Sequence, residues 1–341
     1  KPLRWGILGP GRIAEKLCQA VSKSKTSTLQ SVASRDLARA QNFAQKHSIT
    51  HAFGSYEELL LDESIDVIYI ATPHPFHAKW AIRCAEAGKH ILCEKPVAMN
   101  MQETQAILQA TEQHDVFFME AFMYRCHPQT RQVVDWIQSG IIGQVRMVEA
   151  HFGFHCGSDT SSRLLSKELG GGGILDVGCY PMSFVRLIAG IHAGLPFQEP
   201  ESIKAVGTLH PETEVDIWSS AVLQFPDDVT AQISCSMQAM LGNGARIIGS
   251  EGSITVGSPW FCNEPVMLET AAGKKLRKNF KSRQSLYSHQ VDLVAQYLTD
   301  RQAPSPAMSR ADTRGNMAAL DRWRQEIGLH YPADMHIDAL E

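Results

Sequence analysis

Short apolar runs and helical patterns alternate over the first third of the chain. Residues 3–8 form an apolar-rich run that stops at Gly9 and Gly11, and Ile13, Leu17, Cys18 and Val21 then recur along one helical face. The alternation continues with a strand at 29–34, a helix at 37–46, a buried strand at 66–71 and a helix reaching Gly88. A strand at 90–93, a helix at 102–113 and a strand at 116–120 complete it. Strands separated by helices predict a doubly wound parallel α/β sheet, a Rossmann-type domain covering residues 1–123. Beyond it a helix ends near Gly140, and strand-like stretches follow at 144–154, 203–209, 215–225, 229–240, 245–249 and 253–256. Strands without long helices between them predict a separate α+β domain over residues 124–341. From Thr230 to Met237 polar and apolar residues alternate strictly, as in a half-exposed antiparallel strand. Its polar row of Thr230, Gln232, Ser234 and Ser236 suits either solvent or a second subunit.

The length of 341 residues fits two domains. With 44% apolar and 20% charged residues and a net charge of −4, no basic excess points to nucleic acid. No apolar run is read as the roughly 20 residues of a membrane span, and no signal peptide is read at the start. The eight cysteines are scattered without a Cys-x-x-Cys pair, which predicts reduced thiols in a cytoplasmic protein. No His/Cys/Glu set has catalytic zinc spacing, so no metal is expected.

The chemistry concentrates at strand ends. Gly9-x-Gly11-x-x-Ala14 between strand and helix has the form of a dinucleotide-binding turn. Gly9 permits the turn, Gly11 lets the backbone approach a pyrophosphate, and Ala14 keeps the helix close. Arg12 and Ile13 lie in the first helical turn, whose N–H groups face the phosphates. At the end of the second strand Ser34 and Arg35, with Arg39 a turn later, suit the 2′-phosphate of NADP. Asp36 is read as a helix N-cap, so NADP is favoured and NAD is the other candidate. Thr72, His74 and His77 occupy the loop after the next strand, where either histidine could touch a ligand or serve as a cap or core residue. Glu94 and Lys95 end the strand after that. Gly170 to Gly173 carry a heavy entropic cost and imply that something approaches the backbone closely. Asp176 and Tyr180, four apart, share one helical face.

In order, Gly9-x-Gly11-x-x-Ala14, Thr72-Pro73-x-x-x-His77, Glu94-Lys95-Pro96 and Gly172-Gly173-x-x-Asp176-x-Gly178-x-Tyr180 resemble the Gfo/Idh/MocA family (glucose–fructose oxidoreductase/inositol dehydrogenase). Tyr180, where many members carry histidine, and residues 33–40 are most similar to the branch of dimeric trans-dihydrodiol dehydrogenases and NADP-linked D-xylose dehydrogenases. His74 stands where many relatives have asparagine. The resemblance implies a Rossmann domain followed by an open, mostly antiparallel sheet, and a homodimer or homotetramer. It implies hydride transfer to or from a sugar, polyol or related diol, with Tyr180 as acid/base, Lys95 assisting and Asp176 positioning the substrate. A tyrosine of pKa about 10 is a poor base at neutral pH unless a cation favours its phenolate. Further substrate candidates are Tyr124, Arg125, His155, Arg163 and Trp260, whose ring would either stack on a sugar or fill the core. Redox-neutral glycosidases and dinucleotide-sensing regulators within the family are the alternative functions.

Overall fold

Strand β1 (Leu3–Leu8) is buried along nearly its whole length and runs straight into α1 (Arg12–Val21), which turns Ala14, Leu17, Cys18 and Val21 inward. The unit continues with β2 (Ser27–Ala33), α2 (Leu37–His47), β3 (His51–Phe53), α3 (Tyr56–Leu60), β4 (Val67–Ile70), α4 (His77–Glu86), β5 (His90–Cys93), α5 (Met101–Gln113) and β6 (Phe118–Glu120). All six strands pair in parallel in the order β3-β2-β1-β4-β5-β6. The reversal of strand order at β1 puts the turn after β1 beside the loop after β4, the crevice where open α/β sheets bind ligands.

The computed structural model describes residues 1–280 and 285–335. They fall into two units, one of residues 1–98, 102–126 and 285–313, the other of 99–101, 127–280 and 314–335. The stretch 285–313, assigned above to the second domain, thus returns to the first. Its helix Leu286–Tyr297 buries Val291 and Val294 in the same cluster as Leu17, Val21 and Phe117. Two candidates for substrate contact belong to this unit's interior instead. Tyr124 and Arg125 are fully buried, and Arg125 donates from Nη2 to Asp312 Oδ2 at 2.6 Å and from Nε to the Pro306 carbonyl. With its charge compensated there, Arg125 has no surface to offer a substrate.

In the second unit α6 (Pro128–Gln138) precedes β7 (Val145–His155), α7 (Cys179–His192) and a run of strands. These are β8 (Ser202–Leu209), β9 (Asp216–Gln224), β10 (Thr230–Ser236), β11 (Gln238–Gly249), β12 (Gly252–Val256), β13 (Val266–Thr270) and β14 (Lys275–Lys278). The sheet order is β14-β13-β12-β11-β7-β10-β9-β8. Only the β7–β10 pair is parallel, so β10 is antiparallel to one neighbour alone, a correction to its reading as an antiparallel strand. Burial on every side makes α7 apolar all round. The stretch Lys167–His192 is long and apolar enough to cross a membrane by composition, but its whole apolar window is buried inside the protein. Thr230 and Gln232 are exposed and Ser234 half-buried, whereas Ser236 is buried, donating to the Ile217 carbonyl at 3.1 Å. Across the strands Val222 lies opposite Gln232 and is 54% exposed, so this outward face is less polar than its β10 row. No disulfide joins the eight cysteines.

Candidate active site

The first-unit site begins at the turn after β1. Gly9 has φ +97°, and a Cβ there would sit 3.2 Å from the Ala71 carbonyl oxygen, so both conformation and space demand glycine. Gly11 is different. Its backbone is extended (φ −118°), it caps α1 without any side chain, and a Cβ would meet no protein atom within 4 Å. The first N–H groups of α1 have no partner within the helix, and beside them lies open space of the kind a pyrophosphate needs. Arg12 is exposed and Ile13 half-buried there, while Ala14 is fully buried against the sheet. These residues fit a dinucleotide.

At the end of β2, Asp36 accepts the N–H groups of Ala38 and Arg39 at 2.9 and 3.3 Å, the N-cap role expected of it. Both bonds fall on its Oδ1. Ser34 is buried, with its Oγ accepting from the Asp36 N–H at 3.3 Å. Arg39 reaches back to the Pro10 carbonyl at 2.9 Å, which pins α2 to the glycine turn. Arg35 is exposed and forms one wall of a cavity of about 360 Å³, with Tyr56, Thr72, Pro73, Lys79 and Trp80 among the others. Tyr56 meets Trp80 edge-on at 4.9 Å, and Lys79 Nζ lies 5.1 Å from the Trp80 ring centre. Burial pushes the Tyr56 hydroxyl up, opposed by the charges of Arg35 and Arg39. Arg35, Lys79 and Glu57 supply the charges of this cavity, and Tyr56, Phe76 and Trp80 its aromatic rings. Tyr56, Lys79 and Trp80 were not anticipated, because their meeting depends on packing between α3 and α4, which no local pattern reports.

The loops after β4 and β5 are tied together. His77 is fully buried, its Nδ1 2.9 Å from the Pro96 carbonyl oxygen and its Nε2 2.8 Å from that of Thr72. It is a buried brace between the loops. His74 is buried with its ring 5.8 Å from that of His77. Thr72 Oγ1 is buried with no hydrogen-bond partner among the described residues, beside Gly9. Glu94 is buried and accepts the Tyr69 hydroxyl proton, and half-buried Lys95 follows at the end of β5 with a cis bond to Pro96.

In the second unit the glycine run leads through a π-helical turn (Ile174–Gly178) into α7. Single π-turns recur at functional sites. What approaches the glycines is the protein itself. A Cβ on Gly171 would fall 2.6 Å from the Leu164 carbonyl oxygen, and one on Gly172 (φ +107°) would run into Asp216 Oδ1. Asp216, unanticipated, accepts the Ile174 N–H at 2.7 Å through Oδ2. A carboxylate within the apolar run Val215-Asp216-Ile217 was the available signal. Asp176, 7% exposed, accepts from Arg163 Nη2 at 2.9 Å, while Arg163 Nη1 is buried with no partner among the described residues. Tyr180 lies in an aromatic cluster, 5.5 Å from the Phe152 ring and 5.7 Å from that of Trp260. Trp260 is fully buried, its Nε1–H donating to the His151 carbonyl at 3.1 Å, and it stacks on Phe152. No face of Trp260 is left for a sugar. The next residue, Phe261, is the exposed ring of this cluster. His155 is exposed at the end of β7 and accepts the Gly157 N–H at 3.0 Å. Among the described residues no cluster of metal-ligating side chains occurs.

Residues 3–122 match the family described as "Oxidoreductase family, NAD-binding Rossmann fold", and residues 130–255 match the "GFO/IDH/MocA C-terminal domain". The chain belongs to the Gfo/Idh/MocA family. This Gfo/Idh/MocA oxidoreductase is 35% identical over 340 residues to the trans-1,2-dihydrobenzene-1,2-diol dehydrogenase of Xenopus tropicalis, covering 96% of the chain and 99% of that protein. The mouse enzyme of the same name is 35% identical over 343 residues, covering 97% and 99%. A 3-ketoreductase from Actinomadura kijaniata, crystallised with NADP and TDP-benzene, superposes with a TM-score of 0.84 at 25% identity over 96% of this chain and 98% of that one. An aldose-aldose oxidoreductase from Caulobacter crescentus complexed with glycerol shares the fold at TM-score 0.84 and 22% identity, over 96% and 97%.

The contrast between the two turn glycines is testable. Gly11→Val should leave the melting temperature of the apoprotein nearly unchanged, since surface substitutions usually stay within about 0.5 kcal/mol. The same change should weaken dinucleotide binding on the order of 100-fold, about 2.7 kcal/mol. Calorimetry and a binding titration on one preparation check both, and unweakened binding would refute the cradle.

Proposed function

We propose that the protein is an NADP-dependent oxidoreductase that oxidises or reduces one carbon of a sugar, polyol or related diol. The observation that carries this reading is the start of the α7 helix. There Asp176 holds one arm of Arg163 and Tyr180 follows a turn later, in a chain whose first unit has an open dinucleotide cradle. The relatives in Xenopus and mouse are named for a diol substrate, which supports the substrate class. NADP is supported by Arg35 on the cavity wall, by the capping role that occupies Asp36, and by the NADP in the Actinomadura neighbour.

The dinucleotide, when bound, supplies the hydride exchange with the substrate carbon. The protein's own task is the proton. Tyr180 takes the hydroxyl proton on oxidation and returns one to the carbonyl oxygen on reduction. Lys95 favours the phenolate by its charge and hydrogen-bonds the reacting oxygen. Asp176, oriented by Arg163, accepts a hydrogen bond from the neighbouring hydroxyl, which selects polyhydroxylated substrates. Nη1 of Arg163 is a donor ready for a second substrate oxygen.

The outward face of the second unit's sheet supports self-association as a homodimer. Val206, Trp218 and Val222 stand 75%, 45% and 54% exposed beside Gln232 and Ser234 on a flat eight-stranded face. An apolar patch of this kind on a sheet marks an interaction surface.

Three measurements follow. Arg35→Ala should raise KM for NADP far more than KM for NAD, and equal effects, or a wild-type preference for NAD, would count against the 2′-phosphate reading. Tyr180→Phe should lower kcat by about 10²- to 10⁴-fold with the dinucleotide still bound. Lys95→Met should cost a similar factor, and the double variant should be scarcely worse than either single one. Near-normal turnover by Tyr180→Phe would make Tyr180 a packing residue. Light scattering should give a dimer of twice the 37.7 kDa chain mass, and a 37.7 kDa particle at micromolar concentration would exclude the homodimer.

A further inference from the structure

A fully buried carboxylate underlies the glycine run of the second unit. Asp216 Oδ2 accepts the N–H of Ile174 at 2.7 Å. Gly172 and Gly173 lack side chains where Asp216 packs against them. Asp216 Oδ1 is buried with no hydrogen-bond partner among the described residues. No cation pairs with it directly, since Arg324 is bound to Asp321 and Asp334. A buried group so poorly compensated is a poor device for stability, because an apolar residue of similar volume would avoid its desolvation. What it does accomplish is to fix the Ile174 amide at the start of the turn that presents Asp176, and Tyr180 beyond it.

We propose that Asp216 is the positioning residue of the second-unit site, its carboxylate clamping the Ile174 amide and so setting where Asp176 and Tyr180 stand. The inference rests on the roles given above to those two residues. The groups facing the carboxylate are the Cys235 thiol from β10, 4.0 Å from Oδ2, and the Tyr331 hydroxyl and Arg324 guanidinium from the C-terminal segment. Burial pushes the Asp216 carboxyl up to about 7, against the pull of its backbone N–H donors and of Arg324. Protonation therefore weakens the clamp as pH falls through neutrality. The linkage to stability has the opposite sign. A carboxyl raised in the folded state contributes most below its unfolded value of 3.8, and that contribution is lost as pH rises toward about 7.

Asp216→Asn keeps the shape and removes the titration. It should lower kcat about 10- to 100-fold and leave KM for the dinucleotide within about twofold of wild type. It should also abolish an acid limb near neutrality in the wild-type kcat profile and flatten the fall in stability between pH 4 and 7. A variant with wild-type kcat and an unchanged pH profile, even at a lower melting temperature, would reduce Asp216 to a structural role and overturn the inference. Should the variant not fold, hydrogen exchange on the wild-type protein decides. Protection of the Ile174 amide, corrected for its intrinsic rate, should fall as pH drops from 8 to 6, and constant protection would refute the clamp. Tyr180→Phe separates the two claims. Normal turnover there removes the catalytic reading while the exchange result still judges the clamp.

Discussion

The first turn of a helix leaves N–H groups that its own backbone cannot bond, and both halves of this protein are built around how those groups are satisfied. At α1 the capping position is Gly11, no side chain serves it, and the space outside is open. At the glycine run before α7 one of the corresponding donors, the Ile174 N–H, is met from within by a buried carboxylate. One helix start is kept free for a phosphate. The other is closed, and so rigidly located that side chains one and two turns along can be aimed.

The rest of the first unit serves the open end. Strand order reverses at β1, which brings the loop after β4 against the glycine turn, close enough that Ala71 and Thr72 limit Gly9. His77 then joins that loop to the one carrying Lys95, through carbonyl oxygens of Thr72 and Pro96. Thr72 and Lys95 are thus held by one buried ring although more than 20 residues separate them in sequence. At the end of β2, Asp36 Oδ1 is engaged by its capping bonds, and Arg35, Lys79 and Glu57 are the charged side chains that line the cavity.

Much of this was legible in the chain, and the misses have a common cause. The parallel half follows from period and punctuation, and the motifs around Gly9, Glu94 and Asp176 sit at strand and helix ends as read. Arg125 was misread, and Trp260 was left between stacking and the core, because a sequence shows that a side chain can donate or stack, but not that Asp312, 187 residues away, or the His151 carbonyl has already engaged it. The return of residues 285–313 to the first unit is hidden for the same reason. The apolar face of the helix Leu286–Tyr297 fits any core, and only the packing shows that it shares one with Leu17 and Phe117. β13 and β14 escaped because their alternation is short and β14 is mostly charged.

The glycine run was read as a backbone that something must approach closely, and the approaching group comes from within the protein. Comparing the buried charges shows why the inside answer is physically sound. Arg125 and Asp312 cancel each other at 2.6 Å, so their burial is a closed structural pair. Asp216 has amide dipoles in place of a cation, and their partial positive charge at a helix start is smaller than a full charge. They hold the carboxyl well below what burial alone would impose but leave it near neutrality. A group in that state is the weakest kind of cement and the most responsive kind of positioner. It grips the Ile174 amide while ionised and slackens when protonated.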